Sequence, residues 1–198
     1  MPIFEYGKTE IAHLKKRDEK LAAAIDEIGK IKRAVNPGLF AALIDSIVGQ
    51  QISAKAAVTV GNRLHALCGG DYQKLHELTA EEIQKCGMSM RKAGYIKGVA
   101  EAAASGAIDF TTLTDKTDAD IIKALTPLAG VGVWTVEMLL IFSLQRPNVV
   151  SYGDLAIRRG MMKLYGLKEL PKDKFARYAK RYAPYGSVAS LYLWELSH

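Results

Sequence analysis

Apolar residues recur every three to four positions along most of the chain, and that period predicts helices almost throughout. Ile11, Leu14, Leu21, Ile25 and Ile28 predict a first helix over residues 10–32, with charges of both signs on a wet outer face. Asn36-Pro37 reads as a helix start, with asparagine as cap and proline at the first helical position. Phe40, Leu43, Ile44, Ile47 and Val48 form the buried stripe that follows. Ser53 caps a helix running to Leu67 and ended by Gly69-Gly70. Asp71 and Thr79 open two more, and Thr79-Ala80-Glu81-Glu82 has the form of a capping box. Ser89 caps a helix that reaches Ala104. Thr117 opens one carrying Ile121, Ile122 and Leu125, which Pro127 ends because proline disfavours helical geometry in the residue before it. Residues 133–144 are almost all apolar, so that helix should be largely buried. Helices over Leu155–Tyr165 and 171–183 follow, Pro184 breaks the second, and Ser187 can cap a last one through Trp194. No alternating strand pattern, repeat or low-complexity run interrupts the series, so the expected fold is all-α.

The stretch from Leu125 to Gly160 organises the rest: LTPLAGVGVWTVEMLLIFSLQRPNVVSYGDLAIRRG. Gly130-Val131-Gly132 supplies two positions where the backbone can take positive φ or approach another molecule closely. A glycine turn that feeds a helix N-terminus presents N–H groups suited to a phosphate. It also suits an ordinary helical hairpin whose glycines only let two helices pack closely. Asp154 lies between Gly153 and Leu155, one turn before Arg158 and Arg159, and as a plain structural residue it caps the helix that follows.

Composition narrows the partner. The chain has 198 residues, 49% hydrophobic, an ordinary globular value that argues against disorder. No apolar run reaches the length of a bilayer-spanning helix, and the apolar run 131–144 contains Glu137. The N-terminal residues lack the basic-then-apolar order of a signal peptide, so the expected location is cytoplasmic, on the nucleoid of a bacterium or in the nucleus of a eukaryote. Cys68 and Cys86 are the only cysteines, too few for a disulfide framework or for the four thiolates of an iron–sulfur cluster. The net charge is +6. Nine basic residues fall between Leu155 and Tyr182, opposed only by Glu169 and Asp173, a pattern that fits either a polyanion partner or a solvated helix face.

Leu128-Ala129-Gly130-Val131-Gly132-x-Trp134-Thr135, followed about twenty residues later by Asp154-Leu155-x-Ile157-Arg158-Arg159, resembles the helix-hairpin-helix, Gly/Pro-Asp (HhH-GPD) DNA glycosylase superfamily, nearest its DNA-3-methyladenine glycosylase II branch. Cys86-Gly87-Met88-Ser89 and Lys92-Ala93-Gly94-Tyr95-Ile96 resemble a further segment of that family, in which Lys92 is at most a minor phosphate contact. The likeness spans about residues 37–194. It implies two helical subdomains with a DNA- and base-binding cleft between them, and no N-terminal β-rich domain of the kind some relatives carry. The expected organisation is one unit over 1–198. Within it, 37–125 form a central helical subdomain with the wedge segment, 126–160 the hairpin and catalytic aspartate, and 1–36 with 161–198 the terminal helices that complete the second subdomain.

The resemblance also assigns roles. Asp154 becomes the catalytic carboxylate, stabilising a cationic sugar and orienting water. Trp134 stands where lyase-competent relatives carry a Schiff-base lysine, which implies a monofunctional enzyme that leaves an abasic site. Trp134, Trp194, Gln50 and Met138 fall at base-pocket positions, and an indole face favours a cationic base. Read without the family, both tryptophans are core aromatics. Gln51 falls at the wedge position, where relatives often carry a more apolar residue. Gly130, Gly132, Thr135, Arg158 and Arg159 fall at phosphate-binding positions. Carbonyls of Thr126, Leu128 and Val131 match those that can hold Na+ or K+. Pro184-Tyr185-Gly186-Ser187 lacks an arginine that relatives often have there. The implied activity is release of alkylated, cationic purines such as 3-methyladenine from double-stranded DNA by a monomer, with no required cofactor and no iron–sulfur cluster. Two alternatives remain: a glycosylase for deaminated or mismatched pyrimidines, and a non-catalytic damage-binding module.

Overall fold

A computed structural model describes residues 2–198 and is helical throughout. Eleven α-helices occur among these residues: α1 Lys8–Arg17, α2 Glu19–Ile28, α3 Leu39–Gly49, α4 Ala54–Leu67, α5 Ala80–Gln84, α6 Met90–Ala104, α7 Asp118–Leu125, α8 Val133–Phe142, α9 Leu155–Tyr165, α10 Lys172–Tyr182 and α11 Gly186–Leu196. Two short 3₁₀ helices, Tyr72–His76 and Thr112–Asp115, lie between them. The extended backbone pairing among the described residues is a single bridge between Ile3 and Ala34.

The chain divides into two compact units. One is formed by the chain up to Asn36 together with Leu140–His198, and the other by Pro37–Leu139. The 126–160 stretch is shared between the units, divided inside α8.

Within Pro37–Leu139, Leu43, Ile44, Ile47, Leu64, Leu75, Ile83, Ile96, Ile121, Leu125 and Val136 are all fully buried and form the core. Burying an aliphatic side chain of this size contributes about 1.5–3 kcal/mol, so this stripe is what holds α3, α4, α6 and α7 together. Ser53, Thr79, Ser89 and Thr117 each accept the amide three residues on, as caps do. The start of α3 differs from expectation. Pro37 and Gly38 precede the helix rather than opening it, and the amide of Asn36 donates instead to Phe142 O at 2.8 Å within the other unit.

In that other unit α9 packs on α11 so closely that a Cβ at Gly160 would lie 1.9 Å from Leu193 O. The predicted single helix over 10–32 is two helices. Asp18 interrupts them: its Oδ1 accepts the Leu21 amide at 3.0 Å and its Oδ2 accepts Tyr165 Oη at 2.6 Å and Arg181 Nη1 at 3.3 Å. A carboxylate used as an N-cap ends the preceding helix, which hydrophobic spacing does not reveal. The second helix stops at Ile28, before Gly29 at φ 75°. Ser187 is not a cap either. It is fully buried in α11, where its Oγ donates to Arg146 O and accepts the Val149 amide at 2.9 Å.

Candidate functional site

The hairpin is built by α7, the turn that follows it, and the first half of α8. Val131 N donates to Leu128 O and Leu128 N to Leu125 O, both at 3.1 Å, which closes the turn after α7. Gly130 has φ 82°, in the left-handed region that favours glycine. A Cβ there would also fall 2.2 Å from Cδ2 of Tyr95, so α6 packs directly on the turn. Of the two turn glycines, Gly130 is the one with positive φ; Gly132 is exposed, with nothing of the protein within 4 Å of where a Cβ would stand, so its backbone is open to close approach by another molecule. Val136 N is bonded back to Gly132 O at 3.2 Å, so the amides of the turn before it point outward along the helix axis, at the positive end of the dipole.

The expectation that α8 is largely buried is corrected at its first turn. Val133 is 50% exposed and Trp134 43%, whereas Thr135 and Val136 are buried. Met138, one turn past Trp134, is half-buried. An apolar helix start left in water is costly unless another molecule covers it.

Gln50 and Gln51 occupy the junction after α3. Gln51 is exposed and has φ 57°, uncommon for a residue with a Cβ. Gln50, expected at a base-pocket position, donates from its Nε2 to Gly130 O at 2.9 Å, which joins the two segments. Lys92, expected to be at most a phosphate contact, donates to Val48 O at 2.9 Å and also to Gln50 O.

In the unit with Leu140–His198, Asp154 is buried at the N-terminus of α9, with an extended backbone (φ −82°, ψ 114°). Its Oδ1 accepts the amide of Ile157 at 2.9 Å and the indole Nε1 of Trp194 at 3.2 Å. Trp194 is only 9% exposed, and its ring lies 5.3 Å from that of Phe142. Trp194, expected at a base-pocket position, lies against the carboxylate. The signal for that pairing, 40 residues apart, is absent from local pattern. Arg158 stacks its guanidinium 5.1 Å over Tyr152, and Arg159 is exposed.

Of the nine basic residues between Leu155 and Tyr182, three are engaged by polar partners among the described residues. Arg181 is paired with Asp18 at 3.3 Å, Arg177 with Asp173 at 3.7 Å, and Lys163 donates to His198 O at 2.6 Å.

The chain is similar to known proteins in sequence and in fold. Residues 44–184 match the family model described as HhH-GPD superfamily base excision DNA repair protein. DNA-3-methyladenine glycosylase 1 of Schizosaccharomyces pombe is 35% identical over 161 residues, covering 78% of this chain and 71% of its own. A crystal structure of a DNA-3-methyladenine glycosidase from Bacillus halodurans superposes with a TM-score of 0.88 at 37% identity, covering 100% of this chain and 93% of the other. The S. pombe 3-methyladenine DNA glycosylase Mag1, in complex with abasic DNA, superposes with a TM-score of 0.82 at 30% identity, covering 95% and 96% of the two chains. Model match, sequence likeness and fold agree on one assignment: the chain belongs to the HhH-GPD superfamily of base excision DNA repair proteins.

Proposed function

We propose that this protein is a monofunctional DNA glycosylase that hydrolytically releases alkylated, cationic purines such as 3-methyladenine from duplex DNA and leaves an abasic site. The observation that carries the reading is the carboxylate of Asp154, oriented by two donors on a single oxygen in a chain whose hairpin has tryptophan, not lysine, at position 134.

Breaking a glycosidic bond through an oxocarbenium-like transition state normally takes two carboxyls, one of which protonates the leaving group. A purine alkylated on the ring already carries positive charge and departs without that proton. One fixed carboxylate then suffices: Asp154 stabilises the cationic sugar as charge develops and orients the attacking water. Its orientation is set before substrate arrives, because the Ile157 amide and the Trp194 indole already hold Oδ1.

A base must leave the stack to be cut. The exposed face of Trp134 suits stacking on a flipped base, and an indole attracts a cationic base more than a neutral one. Met138, one turn on, is the softer wall of the same helix face. The outward amides around Gly130, Gly132 and Thr135 suit one backbone phosphate, and Arg158 and Arg159 suit others. Gln51 is the wedge that fills the vacated space. The carbonyls of Thr126, Leu128 and Val131 are neutral, hard oxygen donors that fit Na+ or K+ rather than a transition metal; a cation there would add positive charge facing DNA. No helix among the described residues is long and apolar enough to cross a membrane.

The test is base release from a panel of otherwise identical duplexes carrying methylated purines, uracil or mismatched thymine. Release from methylated purines and not from uracil is the expected result. Release confined to uracil or thymine would move the substrate class, and binding without release from any duplex would make the protein a damage-binding module.

A further inference from the structure

Two carbonyls that flank Gly49 end on one ammonium. Lys92 Nζ donates to Val48 O at 2.9 Å and also to Gln50 O. Gln51, the next residue, is the one with φ 57° and an exposed side chain. A residue with a Cβ stays in that conformation only where its surroundings over-determine it, and such positions gather at functional sites. Gln50 supplies the second restraint, since its Nε2 donates to Gly130 O at 2.9 Å. The residue before Gln51 is therefore anchored through both its carbonyl and its side chain.

Nothing local in α6 favours a lysine at this position. Lys92 is the third residue of the helix, capped by Ser89 Oγ accepting its amide at 3.3 Å, where the positive end of the dipole disfavours a cation. Partial burial also disfavours the charged form, and desolvation pulls its pKa below the usual lysine value. The side chain's use is tertiary: it crosses to α3 and takes carbonyls that the end of a helix leaves without intrahelical donors. Tyr95, three residues on along the same face, packs against Gly130. One face of α6 thus supports both the Gln51 junction and the hairpin turn.

We propose that Lys92 and Gln50 are positioning residues for base extrusion, which hold the Gln51 backbone so that its side chain stands out of the protein as the wedge. The inference rests on the glycosylase reading above and refines it. The role proposed for Lys92 and Gln50 is support of the junction, not contact with the reacting atoms. They act through Gln51, and Gln50 also ties the wedge to the turn proposed to hold a phosphate.

Lys92→Met keeps the unbranched stem and loses the donors; Gln50→Met loses the donor to Gly130 O. Each is compared with wild type for release of one methylated purine, placed either opposite its normal partner or opposite a mismatch, with thermal unfolding measured alongside. Extruding a paired base costs more than extruding a mismatched one, so a misplaced wedge is felt mostly in the paired duplex. The expected result is about a tenfold larger loss on the paired than on the mismatched duplex, with Gln51→Ala adding little in either background. Equal losses on both duplexes, or none, would overturn the inference, as would losses that simply add to that of Gln51→Ala. Should Lys92→Met fail to fold, the Gln50→Met ratio decides alone. Wild-type release from the mismatched duplex keeps the two readings apart: its absence defeats the glycosylase assignment, whereas its presence beside unchanged variant ratios defeats only the positioning role.

Discussion

The indole Nε1 of Trp194 donates to Oδ1 of Asp154 at 3.2 Å, the same oxygen that takes the Ile157 amide at 2.9 Å. One donor comes from the helix that Asp154 caps, the other from α11, against which that helix packs through Gly160 and Leu193. The carboxylate is thereby held by its own helix and by the next one at once. Two donors from two helices on one oxygen fix the direction of the carboxylate.

Asp154→Asn keeps a side-chain oxygen for both donors and removes the charge. Base release should fall by roughly a hundred- to a thousandfold, the usual loss when one preorganised electrostatic group is removed. Asparagine caps about as well as aspartate, so stability should stay within about half a kcal/mol. Single-turnover release and thermal unfolding on the same preparation check both halves; near wild-type release by the folded variant removes Asp154 from the mechanism.

Trp194→Phe retains an aromatic beside Phe142 and loses the N–H. Turnover should drop by about tenfold through loss of one charge-assisted hydrogen bond, with DNA affinity little changed because the indole reaches Asp154 rather than the surface. A variant that matches wild type in turnover would leave the Ile157 amide as sufficient to orient the carboxylate.

The two hairpin glycines should part company. Gly130→Ala meets both a left-handed φ of 82° and the Tyr95 ring 2.2 Å from the new Cβ, and should cost about 2–4 kcal/mol. Gly132→Ala meets no neighbour within 4 Å and should cost less than about 1 kcal/mol. Both should weaken DNA binding, Gly132→Ala without a large shift in unfolding midpoint. Equal midpoints for the two variants would contradict the packing described.

Borohydride should trap no covalent adduct on lesion-bearing DNA, because Trp134 has no amine to form a Schiff base. A borohydride-dependent band on a denaturing gel would overturn this and direct attention to Lys123 or Lys163.

Salt dependence should separate the basic residues. Each phosphate contact adds about −0.9 to the log–log slope of affinity against salt on duplex DNA. Arg159→Gln should flatten the slope by about that amount. Arg181→Gln should leave it unchanged and instead lower the unfolding midpoint, since Arg181 is paired with the buried Asp18. The reverse pattern would place the DNA-binding charge on α10.

Apolar spacing determined the helical class and the extent of most helices, because a stripe of three- to four-residue period has to be buried whatever its partner. Caps at Ser53, Thr79, Ser89, Thr117 and Asp154 were legible for the same reason: each is satisfied within four residues of chain. The division of 10–32 at Asp18 was not: its cap on the Leu21 amide is equally local, but it sits inside an unbroken apolar stripe, and the contacts that hold the carboxylate there, to Tyr165 and Arg181, are far along the chain. Ser187 failed as a predicted cap because a loop 40 residues earlier captured its hydroxyl. The glycine turn, Asp154 and Trp134 stood out in the sequence by type and spacing, which a short motif preserves. That Trp194 points its N–H at Asp154, that Gln50 grips Gly130, and that Lys92 carries the carbonyls beneath Gln51 were decided by tertiary packing alone. Those donors and acceptors are brought within hydrogen-bonding distance only when separate helices bury their stripes against one another, and no local pattern encodes which ones will meet.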